Sequence, residues 1–192
     1  MVYNPIMPGF YTRKGDSGYT GVLGEGRLPK HHPRLDAIGS ADEATAAIGV
    51  ARSQAVAPGL NNILVVIQRD LYHLMGEIAA TPENVQKFRV IDSARVRWLE
   101  EQIDYLGAMI EMPKDFIVPG DSRSGAAFAL ARTLVRRAER KVSELFHENQ
   151  IDNLELLRYL NRLSSLCFIL ELAENQNAGI AFPTLASSQD QG

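Results

Sequence analysis

Apolar residues recur at helical spacing through most of this chain, and no segment pairs period-two alternation with turn chemistry. That regularity disfavours sheets and predicts helices packed side by side. Leu60, Ile63, Ile67, Leu71, Leu74 and Ile78 form one stripe, broken at Thr81-Pro82. Val96, Leu99, Ile103, Leu106 and Ile110 form another, starting near Asp92 or Ser93. Leu130, Leu134, Ala138, Val142 and Leu145 follow a cap at Ser122 or Ser124. Ser40-Ala-Asp-Glu43 has the form of a capping box and opens a first helix running to about Gln54. Asp152-Asn-Leu-Glu155 opens a last helix in the same way, ending near Asn175. That helix is apolar nearly all round, which predicts a central position. The fold class is all-α, a five-helix up-and-down bundle. A length of 192 residues suits a single domain spanning 1–192. Its parts are an arm over 1–38, a bundle over 39–178 and a Ser/Gln-rich, flexible tail over 179–192.

The formal charge of −3 offers no bulk field to draw the chain to nucleic acid or a membrane. No apolar stretch reaches membrane-span length, and no signal peptide opens the sequence. The single Cys167 lies in an apolar run, so it reads as core packing with no disulfide framework. A soluble cytoplasmic protein is expected, with a matrix protein lacking its transit segment left open.

Residues 12–30 break the helical pattern. They carry five glycines, two threonines and four cationic side chains, with no apolar periodicity. Glycines let backbone N–H groups approach an anion, and Lys and Arg supply the counter-charge. A polyphosphate is the natural guest. Yet Gly15-Asp16-Ser17-Gly18 matches neither phosphate-loop nor dinucleotide-binding spacing. Composition leaves a mobile arm and an anion cradle equally open.

On the fourth helix Arg132, Arg136 and Glu139 share one face, with Arg137, Arg140 and Lys141 beside them. A solvated, salt-bridged surface would look the same. The fifth helix carries Asn161, Ser164, Ser165 and Phe168 as a mostly polar stripe. A buried Asn161 needs partners, which cations on the fourth helix and a ligand would supply, or the core itself. His31-His32 before Pro33 lacks further ligands at zinc spacing, and His73 and His147 are isolated. No side-chain metal site and no general acid–base pair stands out.

Three ordered segments resemble the PduO-type ATP:cob(I)alamin adenosyltransferases. Thr12-Arg-Lys-Gly-Asp-Ser-Gly-Tyr-Thr20, with Arg27-Leu-Pro-Lys30 and Pro33 to Glu43, resembles that family's T-x-x-G-D-x-G-x-T and P-R-x-E-A-x-G-x-x-D-E signature. Phe116-Ile-Val-Pro-Gly120 resembles its F-I-L-P-G loop. Ala131 to Arg140 and Asn161-Arg-Leu-Ser164 resemble its A-R-x-x-x-R-R-A-E-R and N-R-L-S-D helices. The likeness runs from about residue 10 to 178. It implies a homotrimer of five-helix bundles with active sites between subunits. It also implies transfer of the 5′-deoxyadenosyl group of ATP to the cobalt of cob(I)alamin, releasing triphosphate.

By that resemblance Thr12, Arg13, Gly15, Asp16, Gly18 and Thr20 wrap ATP, with Lys30 on the phosphates. Arg136 and Glu139 meet the nucleotide from the fourth helix and Asn161 from the fifth. Arg132 pairs with Asp42 across the subunit interface. Phe116 displaces the corrinoid's lower axial ligand, and Phe168 lines the same pocket. Magnesium accompanies the ATP phosphates, and whether potassium joins it stays open. A cobalamin reductase and an adenosylcobalamin-dependent enzyme are the implied partners. Two positions depart from the pattern: Thr45 replaces an Asn and Ser165 an acidic residue. They motivate an alternative, a protein that binds ATP or adenosylcobalamin for delivery or sensing. A purely structural helical oligomer is the third reading.

Overall fold

The computed structural model describes residue 11 and residues 13–187. Five helices make up the bundle: α1 (Pro33–Gln54), α2 (Leu60–Ala79), α3 (Ser93–Gly107), α4 (Arg123–His147) and α5 (Leu154–Asn177). α4 packs against both α1 and α5, α2 against α1, and α3 against α5. α5 is central, as its apolar circumference predicts; Leu160, Leu163, Leu166 and Leu170 are all buried. Each such burial is worth roughly 1.5–3 kcal/mol.

The first helix begins two turns before the expected start. His32 is the N-cap, its Nδ1 accepting the Arg34 N–H at 3.1 Å, and Pro33 occupies the first helical position. Ser40 is therefore an interior residue and not a cap; it is buried with Ala37, Ala41, Ala44, Ile48 and Ala51. This stripe of small side chains lets α1 lie close to Ala131, Val135 and Ala138 of α4. Asp92 and Ser122 cap α3 and α4 as expected. Asn153, one residue beyond Asp152, caps α5.

One small sheet departs from the all-helical expectation. Strands β1 (Tyr19–Gly21) and β2 (Arg27–Pro29) pair antiparallel, with Thr20 opposite Leu28. The tip of this hairpin docks on the end of α2. Leu23 N–H donates to the Ala79 carbonyl at 2.8 Å, and Thr81 N–H donates to the Leu23 carbonyl at 3.1 Å. Gly24 makes the docking possible. Its φ is +148°, and a Cβ there would stand 2.3 Å from Thr81 Oγ1.

Buried ionic groups join the helices. Asp70 of α2 accepts hydrogen bonds from Arg95 of α3 and from the Tyr159 hydroxyl of α5, the latter at 2.8 Å. Arg34 donates to the carbonyls of Ile78, Ala80 and Gln150, satisfying acceptors left open after α2 and between α4 and α5. Glu77 accepts from Arg89 at 3.1 Å and from the Asn153 amide at 3.1 Å, while burial raises its carboxyl.

Beyond α5 the chain does not simply fray. Residues 180–187 return to the loop before α4, where Val118 N–H donates to the Thr184 carbonyl at 2.8 Å. Ala186 N–H donates to the Phe116 carbonyl at 2.7 Å. Thr184 also bonds the Asp121 carboxylate through its N–H and its hydroxyl.

Candidate functional site

The glycine-rich arm folds into turns ahead of β1. Asp16 N–H donates to the Arg13 carbonyl, Gly18 N–H to Gly15, and Lys30 N–H to Gly18. Arg13 has a φ of +57° and lies 5.2 Å from the Tyr11 ring centroid. Lys30 folds back over the turn: a Cβ on Gly15 would meet its Nζ at 3.1 Å. Gly18 takes a φ of +78°, a conformation that favours glycine. The arm thus gathers Gly15, Asp16, Gly18 and Lys30 around one turn, with Thr20 just beyond it in β1. Thr12 lies outside the described residues.

A second group forms where α4, α5 and the loop before α4 meet. A cavity of about 420 Å³ is bounded there by Met112, Phe116, Arg132, Phe168 and Glu171, among others. Phe116 projects from the loop and is 85% exposed. Exposure of so large an apolar side chain marks a contact surface more than a core element. The Arg132 guanidinium lies 5.8 Å from the centroid of the Phe168 ring. An adjoining cavity of about 300 Å³ shares Met112, Arg132 and Phe168 and adds Arg136, Ser164 and Ser165.

Glu139 and Asn161 meet at the edge of this region. The Asn161 amide donates to Glu139 Oε1 at 2.8 Å, and Arg162 donates to Asn161 Oδ1 at 2.8 Å. Asn161 is exposed, which corrects the expectation of a buried residue: its amide meets Glu139 of α4 at the surface of the bundle. Ser165 is exposed too, and its hydroxyl turns back to the Asn161 carbonyl at 3.4 Å. Thr45 is different: its Oγ1 is buried without a partner among the described residues.

Four cations of α4 divide into two sets. Arg137 pairs with Glu43, and Lys141 with Asp36 at 2.8 Å and Glu144 at 3.5 Å, so these act between α1 and α4. Arg132 and Arg136 make no ion pair among the described residues and face the cavities. Asp42 is exposed on α1, and within the chain no ion pair joins it to Arg132. Nor does a hydrogen bond or ion pair among the described residues link the arm's turn to Arg136, Glu139 or Asn161.

Reading the sequence missed two members of this region. Glu171 sits on α5 at 2% exposure, three residues beyond Phe168 and so on the same face. Its signal was an acid directly after the apolar run Leu166 to Leu170. Residues 184–186, which hold the Phe116 loop, had none, since two of their links are backbone to backbone and the Thr184–Asp121 pair lies 63 residues apart in sequence. Cys167 is buried, and burial pushes its thiol up to about 12, consistent with packing. Among the described residues no cluster of three or more His, Cys, Asp or Glu could hold a metal ion, and no helix is long and apolar enough to cross a membrane.

Comparison with known proteins converges on one family. Residues 10–174 match the family model described as Cobalamin adenosyltransferase. The chain is 37% identical over 169 residues to the corrinoid adenosyltransferase PduO of Salmonella typhimurium, covering 88% of this chain and 50% of that protein. It is 36% identical over 174 residues to the corrinoid adenosyltransferase of Bacillus subtilis, covering 88% of each. The chain therefore spans about half the length of the Salmonella relative and most of the Bacillus one. A variant of the PduO-type ATP:corrinoid adenosyltransferase from Lactobacillus reuteri, complexed with cobalamin and ATP, superposes with a TM-score of 0.84. Identity there is 32%, over 93% of this chain and 99% of that one. A second variant of that enzyme, complexed with ATP, gives a TM-score of 0.81 at 33% identity, over 88% and 95% of the two chains.

Proposed function

The chain belongs to the cobalamin adenosyltransferase family, and from that premise we propose that it transfers the 5′-deoxyadenosyl group of ATP to the cobalt of cob(I)alamin, yielding adenosylcobalamin and triphosphate. The observation that carries this reading is the juxtaposition of two unlike surfaces on α4 and α5. One is an aromatic cavity walled by Phe116 and Phe168; the other is the polar set Arg136, Glu139 and Asn161. A flat, largely apolar macrocycle suits the first and a charged nucleotide the second.

Cob(I)alamin is a strong nucleophile, so the protein needs no general base. Its cobalt attacks C5′ of ATP, the C5′–oxygen bond breaks, and the electron pair leaves with triphosphate. What remains for the protein is to hold C5′ in line with cobalt and to neutralise charge growing on the leaving group. Lys30 beside Gly15 and the unpaired Arg136 supply that charge. Magnesium enters with the ATP phosphates; Asp16, exposed on the same turn, is available to its hydration shell.

Gly15, Asp16, Gly18 and Lys30 make no hydrogen bond or ion pair with the α4–α5 surface among the described residues, and Asp42 and Arg132 have no ionic partner there. Both observations support a homotrimer in which one subunit's arm completes its neighbour's site, with Asp42 reaching Arg132 across the interface. Sedimentation at three chain masses is expected; a monomer that is fully active would overturn this arrangement. A cytoplasmic location fits the composition, and a cobalamin reductase and an adenosylcobalamin-dependent enzyme would stand before and after it.

The decisive assay is anaerobic. The protein, ATP, magnesium and chemically reduced cobalamin should together give light-sensitive adenosylcobalamin, followed by its spectrum. No product above a protein-free control rules out the transfer. Calorimetric binding of ATP or adenosylcobalamin without turnover would point instead to a delivery or sensing protein, a reading that the unpartnered Thr45 hydroxyl keeps open.

A further inference from the structure

The aromatic cavity contains a charge that its apolar walls do not explain. Glu171 reaches it from α5, 2% exposed, and its Oε1 has no hydrogen-bond partner among the described residues. A buried acceptor without a donor is costly, and such groups are normally satisfied. No described residue donates to this oxygen, although Arg132 and Lys114 line the same cavity. Arg132 of α4 is drawn over the Phe168 ring and forms no ion pair with Glu171. Thr133 turns its hydroxyl to the Leu130 carbonyl. Cys167 of α5 stays a neutral thiol, its ionisation pushed up to about 12. Asp121, before α4, accepts from Thr184, and Asp115 accepts from Ser187 and from the Phe116 N–H. Lys114 is exposed on the loop. A hydrogen-bond donor carried by whatever fills the cavity would satisfy it.

We propose that Glu171 makes this cavity selective for corrinoids whose ring side chains end in carboxamides over those that carry free carboxylates. The inference rests on the adenosyltransferase reading, since it takes the corrin ring as the occupant. A primary carboxamide suits Glu171 in either protonation state. It donates an N–H to the ionised carboxylate and accepts the O–H of the neutral acid. A ligand carboxylate suits only the neutral acid, because two buried anions repel.

The protonation state sets when that discrimination operates. Burial raises the Glu171 carboxyl to about 7, Arg132 pulls it down, and Asp121 adds to the rise. Ligand carboxylates ionise near pH 4 and stay charged from pH 6 to pH 8. Discrimination therefore strengthens as pH rises through 7 and Glu171 gains its charge.

Calorimetric titration of the full-length protein with cobinamide and with cobyrinic acid, at pH 6 and pH 8, tests this. Adenosyl transfer to each pre-reduced corrinoid is measured alongside. For the wild type, the Kd ratio of acid to amide should rise by about tenfold between pH 6 and pH 8. In Glu171→Gln the ratio should be lower at pH 8 and flat with pH, because glutamine keeps the shape but cannot ionise. The wild-type pH profile needs no variant and stands even if the substitution unfolds the chain. A flat wild-type ratio, or one unchanged in Glu171→Gln, overturns the selectivity. Binding with the expected ratio but without light-sensitive product overturns the enzyme reading alone. Failure to bind either corrinoid overturns both.

Discussion

Replacing Arg136 with alanine is expected to cost about 2–4 kcal/mol of transition-state stabilisation, a fall of roughly 30- to 1,000-fold in turnover. The size follows from how this cation is placed. Arg137 and Lys141 on the same helix are held by Glu43 and Asp36, and removing either would mainly loosen the α1–α4 contact. Arg136 has no such partner among the described residues and lines the smaller cavity with Ser164 and Ser165. Its charge is therefore available to an anion. If that anion is the departing triphosphate, negative charge grows as the C5′–oxygen bond breaks, and the loss falls on kcat more than on KM for ATP. Arg136→Lys should recover part of the rate, keeping the charge without the planar fork. Wild-type turnover in Arg136→Ala would remove this residue from the site.

How far the sequence foretold this molecule depends on which signal each part carries. α2 announces itself because its leucines and isoleucines contrast with polar neighbours, and α5 because it is apolar nearly all round. α1 does not. Its buried face is mainly alanine, so the pattern is faint, and Ser40 to Glu43 imitates a start two turns late. The hairpin is invisible for another reason. Its strands have three residues each, too few for alternation, and hydrogen bonds from Leu23 and Thr81 at the end of α2 hold its tip. Local sequence cannot report a tertiary dock.

The site divides along the same line. Phe116, Arg132 and Phe168 were legible through motif resemblance, and the fold brings them to one cavity. Asn161 was legible as a polar residue on a central helix, but not as an exposed one, because exposure depends on how α4 and α5 pack against each other. Asp42 and Arg132 remain unpaired in one chain. Under the proposed homotrimer their contact belongs to a neighbouring subunit, where no single-chain pattern can display it.

Phe116→Ala should separate two steps that ordinary turnover merges. Phe116 stands 85% exposed at the cavity mouth on a loop fastened by Ala186 and Thr184, so the ring is presented and not buried. A side chain held in that way does one of two things when a corrinoid arrives. It adds apolar contact area, worth about 1.5–3 kcal/mol, or it takes the space of the lower axial ligand. Simple contact would help every corrinoid oxidation state alike, so its loss would slow all assays equally. Ligand displacement acts before reduction: without the lower donor, an electron added to cobalt(II) meets less repulsion. Turnover starting from cobalt(II) should then fall at least about tenfold further than turnover starting from pre-reduced cob(I)alamin, a difference near 1.4 kcal/mol. Cob(I)alamin has little hold on a lower ligand, which leaves the second assay to report contact alone. Equal losses in the two assays would contradict displacement and reduce Phe116 to a wall of the cavity.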